Sequence, residues 1–342
     1  MAIQNGKRTT MDDIAKRLGI SKNSVSLALN NRAGVSDELR KRILETASEL
    51  DYRHFSARTD IKTNCIVVVV PEYLQNDTFF YSDIFWSIER EAKKRGYLSI
   101  NSGVSSKAEK NLTPPAIPAE MNMCGFLVIG ILNEEYLKKL YSLGFPIVTV
   151  DITYHSVPVN SVGSSNFNGA YTAVSYLIDS GHQEIGFVGP INAAQSVFER
   201  WCGFQQALMQ RGVANRPEFH IVGASDRFEL LDTANVLERY LNTIATYPTA
   251  WFCAGDRIAV ALISLLQQKG LTVPGDISVI GYDDIPISQT IAPSLTTIRV
   301  NRKLMGMLAV ERLIELQTDP YRIVHIGLPG TLIVRDSVRA LQ

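Results

Sequence analysis

The sequence predicts an all-α head followed by an α/β body built as two doubly wound lobes, and three observations carry that prediction. Capped, amphipathic helical patterns recur within residues 1–54, whereas from Cys65 onward apolar strand-sized runs alternate with amphipathic helices. That alternation occurs twice in series, and 342 residues are too many for one ordinary core and divide into two or three units at about 150 each. Charge divides at the same place. The chain is neutral overall, with 34 Lys+Arg and 34 Asp+Glu, which read whole argues against a nucleic-acid partner. Residues 1–62, however, hold 12 basic and 8 acidic side chains, so a basic head precedes a mildly acidic body.

In the head (residues 1–54), Thr10 and Asp13 have the spacing of a capping box, and Ile14, Ala15 and Leu18 mark one buried face. Gly19 interrupts, and Ser21 caps a second helix whose inward positions are Val25, Ala28 and Leu29. After the turn at residues 30–34, Ser36 caps a third, with Leu39, Ile43, Ala47 and Leu50 on one face. The outer side of the second helix carries Lys22, Asn23, Ser26, Leu27 and Asn30, a polar and nearly uncharged face. A helix laid in the major groove needs short polar side chains near its N-terminus to read base edges. Helix, tight turn, helix is therefore a candidate DNA reader. The competing interpretation is a plain three-helix bundle with a solvated face.

Residues 55–64 connect to the body (residues 65–342). There, strands are expected at 66–70, 97–100, 125–129 and 146–150, with helices at 81–95 and 133–143. A second set is expected to begin with a strand at 158–162. It continues with helices at 167–180, 194–211, 230–242 and 256–269 and strands at 185–188, 220–223, 250–253 and 277–281. A late segment, strand 295–299 with helix 302–317, can cross back to the first lobe. Open parallel sheets place ligands beyond the carboxyl ends of their strands, so two lobes predict a site in the cleft between them.

Other function classes find little support. No Gly-x-Ser-x-Gly elbow, Gly-x-Gly-x-x-Gly fingerprint, P-loop or metal-spaced His/Cys cluster occurs, so neither an enzyme nor a bound cofactor or metal is expected. His54, His155, His182, His220 and His325 are scattered and read as structural. Cys65, Cys124, Cys202 and Cys253 form no Cys-x-x-Cys pair and read as reduced thiols. Residues 1–8 are polar rather than an export signal, and no apolar run reaches the about 18 residues of a membrane span, so a cytoplasmic location is expected and an exported solute-binding protein is not. A cytosolic solute-binding protein without gene control is the alternative.

The run Thr10-Met-Asp-Asp-Ile-Ala-Lys-Arg-Leu-Gly-Ile-Ser-Lys-Asn-Ser-Val-Ser-Leu-Ala-Leu-Asn30 resembles the N-terminal signature of the lactose/galactose repressor family of bacterial transcription regulators. The similarity continues through Val35-Ser36 and Tyr52-Arg53. In the body it rests on Gly181-His182, Ile185-Gly-Phe-Val-Gly189, Phe198-Glu-Arg-Trp-Cys-Gly-Phe204, Phe252-Cys-Ala-Gly-Asp256, the stretch from Val273 to Asp284, and Pro293-Ser-Leu-Thr-Thr297. The resemblance implies a helix-turn-helix head on a body like a periplasmic sugar-binding protein. It implies a homodimer, probing a palindromic operator in double-stranded DNA, and a small-molecule effector of carbohydrate type. A dimer is favoured over a tetramer because no leucine heptad follows Leu332–Arg335.

By the same resemblance Lys22, Asn23 and Leu27 read bases, with Thr10, Ser21, Ser24, Ser26, Asn30 and Tyr52 completing the DNA-contacting set. Relatives often carry Arg where this chain has Leu27, so a guanine contact gives way to one suited to a thymine methyl. The connector is shorter than usual and lacks the Ala-Arg-x-Leu run of a hinge helix. Ile61 is its minor-groove wedge candidate, and a flexible tether is the alternative. For the effector, the resemblance marks Arg200, Asp283, Asp151 and the Asp77, Phe79, Phe80 stretch. The family's Ala-Asn-Asp is here Ala254-Gly255-Asp256, so Gly255 replaces an amide that reaches ligand. Asp256 and Asp284 are each expected to cap a helix.

Overall fold

The computed structural model describes residues 9–29, 33–50, 52, 63–75, 77, 79–116, 121–154, 156–222 and 233–341. They fall into two units, Met1–Lys62 and Thr63–Gln342. His54, His155, Asn30 and Ile61, and with them the wedge and hinge expectations, lie outside the described residues.

The head consists of α1 (Met11–Leu18), α2 (Lys22–Leu29) and α3 (Asp37–Glu49). Thr10 and Asp13 form the expected box, the Thr10 backbone N–H and hydroxyl both donating to the Asp13 carboxylate at 2.7 Å. Ser21 accepts from the Ser24 N–H at 3.1 Å to start α2, and Ser36 accepts from Leu39 at 3.3 Å to start α3. Ile14, Ala15, Val25, Ala28, Ile43 and Ala47 make the shared core. Arg40 of α3 reaches the open end of α2, donating to the Ala28 carbonyl at 3.1 Å and the Leu27 carbonyl at 3.5 Å. Those carbonyls have no partner within their own helix.

The body opens with β1 (Asn64–Pro71), α4 (Tyr81–Lys94), β2 (Leu98–Val104), α5 (Ser106–Lys110), β3 (Asn122–Ile129), α6 (Glu134–Tyr141), β4 (Ile147–Val150) and β5 (Asn160–Ser164). Then follow α7 (Asn166–Asp179), β6 (Ile185–Val188), α8 (Gln195–Arg211), α9 (Thr233–Leu241), β7 (Ala250–Cys253), α10 (Asp256–Gln268), β8 (Ser278–Ile280), α11 (Ile287–Thr290) and β9 (Thr297–Arg299). α12 (Arg302–Glu315), β10 (His325–Leu328) and β11 (Thr331–Ile333) end the described chain. Among the described residues the first lobe has a parallel sheet ordered β10-β5-β4-β3-β1-β2 and the second a parallel sheet ordered β6-β7-β8. Residues Ile66–Val70 are all buried, as a strand covered on both faces by helices requires.

Helix α12 crosses back, packing on α4 and on β3, β4 and β5, as anticipated. Its Gly306 makes this possible, because a Cβ there would stand 2.7 Å from the Ile84 carbonyl oxygen of α4. The chain passes between lobes at Ser165, at Val300–Asn301 and between β10 and β11.

Two expectations change. The strand near 158–162, expected to open the second set, is β5 and belongs to the first sheet, pairing Val148 with Asn160 and Val150 with Val162. An apolar run fixes that a strand exists but not which sheet it joins. The strand expected at 220–223 reduces, among the described residues, to one bridge between Val188 and Ile221. Cys65, Cys124 and Cys253 are buried, Cys202 is half-buried, and all four are free thiols. Among the described residues, no helix is long and apolar enough to cross a membrane.

Candidate functional site

On the head, α2 presents Lys22 and Asn23 to solvent, while Ser26 and Leu27 are half-buried. Lys22 Nζ pairs with Asp12 of α1 at 2.9 Å, both side chains being more than half exposed. Such a pair contributes little and opens readily when a phosphate or base edge competes. The Ser21 and Ser24 hydroxyls lie 2.9 Å apart at the N-terminus of α2. Tyr52 packs against the head core, so its place is explained by packing.

In the body, a cavity of about 410 Å³ opens between the lobes and gathers all seven residues singled out above: Asp77, Phe79, Phe80, Asp151, Arg200, Gly255 and Asp283. Tyr73, Leu74, Tyr81 and Ile131 add to the wall on one side, and Ser196, Val197, Ala254, Arg257, Ile258 and Ile285 on the other. Arg200 is buried, so it is no solvated surface arginine. Its Nε donates to Asn166 Oδ1 at 2.9 Å, Nη1 to the Ala254 carbonyl, and Nη2 lies 3.2 Å from Asp283 Oδ1. The guanidinium carbon stands 3.8 Å above the Tyr282 ring. Elements of the second lobe distant in sequence thus hold one fixed cation at the cleft wall.

Asp151 ends β4 with φ +63°, and Asp283 follows β8 with φ +109°. Side chains rarely adopt this left-handed region, and such backbone persists where the surroundings over-determine it. Oδ1 of each is buried without a hydrogen-bond partner. Asp283 Oδ1 nevertheless stands 3.2 Å from Arg200 Nη2 as an ion pair. Burial pushes the Asp151 carboxyl up to about 7, against the pull of Arg200 and with help from the nearby charge of Asp283. Asp283 is also raised by burial, with Arg200, Arg302 and Arg257 opposing.

Other residues play parts different from those expected. Asp77 lines the cleft but its oxygens are committed, Oδ1 accepting from the backbone N–H groups of Phe79, Phe80 and Tyr81 and Oδ2 pairing with Arg257 across the cleft. Phe79 is exposed with Arg257 5.2 Å from its ring centre, whereas Phe80 is core. Asp256 does not cap its own helix. It is fully buried and accepts from Ile285 N–H at 3.0 Å, Ser288 Oγ at 2.6 Å and Thr297 Oγ1 at 2.6 Å, pinning the loop that carries Asp283. Asp284 does not cap a helix either. It pairs with Arg299 and Arg335, each at 2.6 Å, and ties that loop to its neighbours. Arg257 and Tyr81 were missed; each adjoins a recognised residue, but Arg257 meets Asp77 and Tyr81 hydrogen-bonds Asp151, both far away in sequence.

Residues 10–54 match the family of bacterial regulatory proteins of the lacI type, and residues 174–338 match the periplasmic binding protein-like domain. The HTH-type transcriptional repressor PurR of Aliivibrio salmonicida is 31% identical over 336 residues, spanning 97% of this chain and 99% of its own. The chain belongs to the LacI family of bacterial regulatory proteins. It is a sequence-specific DNA-binding transcriptional repressor whose activity a small molecule modulates, and it is not an enzyme. PurR of Vibrio campbellii is 29% identical with the same coverage. Among solved structures, the lac repressor dimer bound to operator and the anti-inducer ONPF is 25% identical, with a TM-score of 0.69 over 98% of this LacI-family chain and 100% of that one. The CelR–cellobiose complex shares the fold, at 23% identity and a TM-score of 0.69 over 96% of this chain and 100% of its own.

Proposed function

We propose that this repressor binds a palindromic operator as a homodimer in the cytoplasm, reads it with Lys22, Asn23 and Leu27 of α2, and senses a carbohydrate-type effector in the inter-lobe cleft. One observation carries the effector assignment: residues far apart in sequence, from Asp77 to Asp283, converge from both lobes on a single cavity of about 410 Å³. That volume lies in the range of small-molecule sites, which are mostly apolar with a few placed polar groups. The aromatic wall of Phe79, Phe80 and Tyr81 opposite Arg200 and Asp283 has that composition. A ligand acts on DNA only by favouring one arrangement of the lobes over another. A molecule touching Asp151 in the first lobe and Asp283 in the second has the means to do so. The lac repressor structure, a dimer on operator, supports the assembly.

The test is selection of bound sequences from a random DNA pool, with and without candidate sugars and sugar phosphates. An enriched two-fold-symmetric motif whose recovery changes with one ligand is expected. A binding constant independent of salt would sink the assignment, since phosphate contacts release counterions.

A further inference from the structure

We infer that the second lobe holds a second small-molecule site, a groove along the back of α8 that takes an uncharged, largely apolar ring compound through one hydrogen-bond acceptor such as a carbonyl oxygen. The groove encloses about 620 Å³, within the range of small-molecule sites, and shares no lining residue with the cleft. Phe198, Trp201, Cys202 and Gln205 follow the i, i+3, i+4, i+7 spacing of one helix face, with Met209 a turn further on, whereas Val197 and Arg200 point from the opposite face into the cleft. Phe167 of α7 closes one side. Gly203 brings it near, because a Cβ there would run into the Phe167 carbonyl oxygen. Among the described residues lining the groove none is charged, and Phe167, Phe198 and Met209 leave apolar surface exposed. Trp201 is a firm wall, stacked on Phe204 and set edge-on against Phe187 and His220.

A chain of hydrogen bonds leaves this groove one donor to spare. The Phe187 backbone N–H donates to His220 Nδ1 at 3.2 Å, so Nδ1 is the acceptor and the ring proton sits on Nε2. Burial lowers His220 to about 4, which keeps the ring neutral at ordinary pH. Nε2–H then donates to Asn215 Oδ1 at 2.6 Å, and the Asn215 Nδ2 amide donates to Gln205 Oε1 at 2.8 Å. A backbone N–H thereby fixes the direction of every bond and the orientation of both side-chain amides. What remains at the end is Gln205 Nε2, buried and without a hydrogen-bond partner among the described residues. A buried donor left unpaired is costly, and a ligand acceptor removes that cost. A hydrocarbon leaves it standing, and an anion finds no cation in the lining. Because α8 also carries Arg200, a ligand here bears on the helix that holds the arginine of the cleft.

The experiment is titration of the full, nitrogen-15-labelled chain with acetophenone and coumarin, their hydrocarbon counterparts ethylbenzene and naphthalene, and the anion benzoate, following the Trp201 indole N–H signal assigned through Trp201→Phe. Acetophenone or coumarin should bind and shift that signal, with its hydrocarbon counterpart and benzoate weaker by at least about fivefold. Gln205→Met keeps the bulk and removes the amide, so it should bring ketone and hydrocarbon to equal affinity. Met209→Trp fills the groove from a position 70% exposed, where folding tolerates the change, and should abolish the response. Ethylbenzene or naphthalene matching its oxygen-bearing partner in wild type, or a preference that survives in Gln205→Met, overturns the role of the amide. Benzoate binding as tightly as acetophenone overturns the ligand class. No shift of Trp201 with any probe, or an undiminished shift in Met209→Trp, overturns the site.

Discussion

Replacing Asp151 by Asn should stabilise the ligand-free body at pH 8 and flatten its dependence on pH. Asp151 is raised from 3.8 to about 7, chiefly by burial. Between those values the unfolded chain has lost its proton and the folded chain still holds one, so stability falls as pH rises through the window and levels off above about 7. At about 1.4 kcal/mol per pH unit the interval corresponds to about 4 kcal/mol, and the partial access of water to an open cleft reduces this to about 2 kcal/mol. Asn carries no charge and escapes the penalty. Urea unfolding at pH 5 and pH 8 should show D151N close to wild type at the lower value and about 2 kcal/mol more stable at the higher, a midpoint shift of about 4–8 °C in a thermal scan. A residual slope should remain, because Asp256 is also raised to about 7 and Asp283 is raised in the same direction. Parallel stability profiles for wild type and D151N across this range would refute the reasoning.

Three further outcomes are expected. Lys22→Ala or Asn23→Ala should weaken the selected operator by about 1–3 kcal/mol and random DNA much less, as competition binding would report; equal losses would mean that neither residue reads bases. Arg40→Ala strips the partner from two carbonyls at the end of α2 and should lower the unfolding free energy of the head by about 1–2 kcal/mol. Arg302 bonds the Asp283 carbonyl at 2.7 Å and Asp83 of α4 at 3.1 Å, so it joins the loop of one lobe to a helix of the other. Arg302→Met should reduce the effector's influence on operator affinity below about fivefold while calorimetry still detects effector binding; full retention of that influence would exclude the coupling role.

What was legible in the sequence was local. The Thr10–Asp13 box, the Ser21 cap and the buried run Ile66–Val70 are read from neighbours within a few positions, and each stands where expected. Arg200 and Asp283 were found through motifs, although no motif shows that they face each other at 3.2 Å. The errors share a cause, which is dependence on partners distant in sequence. Asp256 looked like a cap until Ser288 and Thr297 claimed it, and Asp284 until Arg299 and Arg335 did. Arg257 acquires its meaning only from Asp77, on the opposite wall. Strand β5 went astray for the same reason: its pairing with β4 and β10 is a tertiary choice that its own residues do not declare.

The most direct test of an effector site coupled to a DNA-reading head is the operator affinity of wild type and Arg200→Ala, measured against increasing concentrations of an effector found by calorimetry. In wild type a saturating ligand should change operator affinity by about 5–150-fold, and in Arg200→Ala, with Gly255→Leu as a second cleft variant, the change should vanish. The same ligand-dependent change in wild type and in both variants would contradict it.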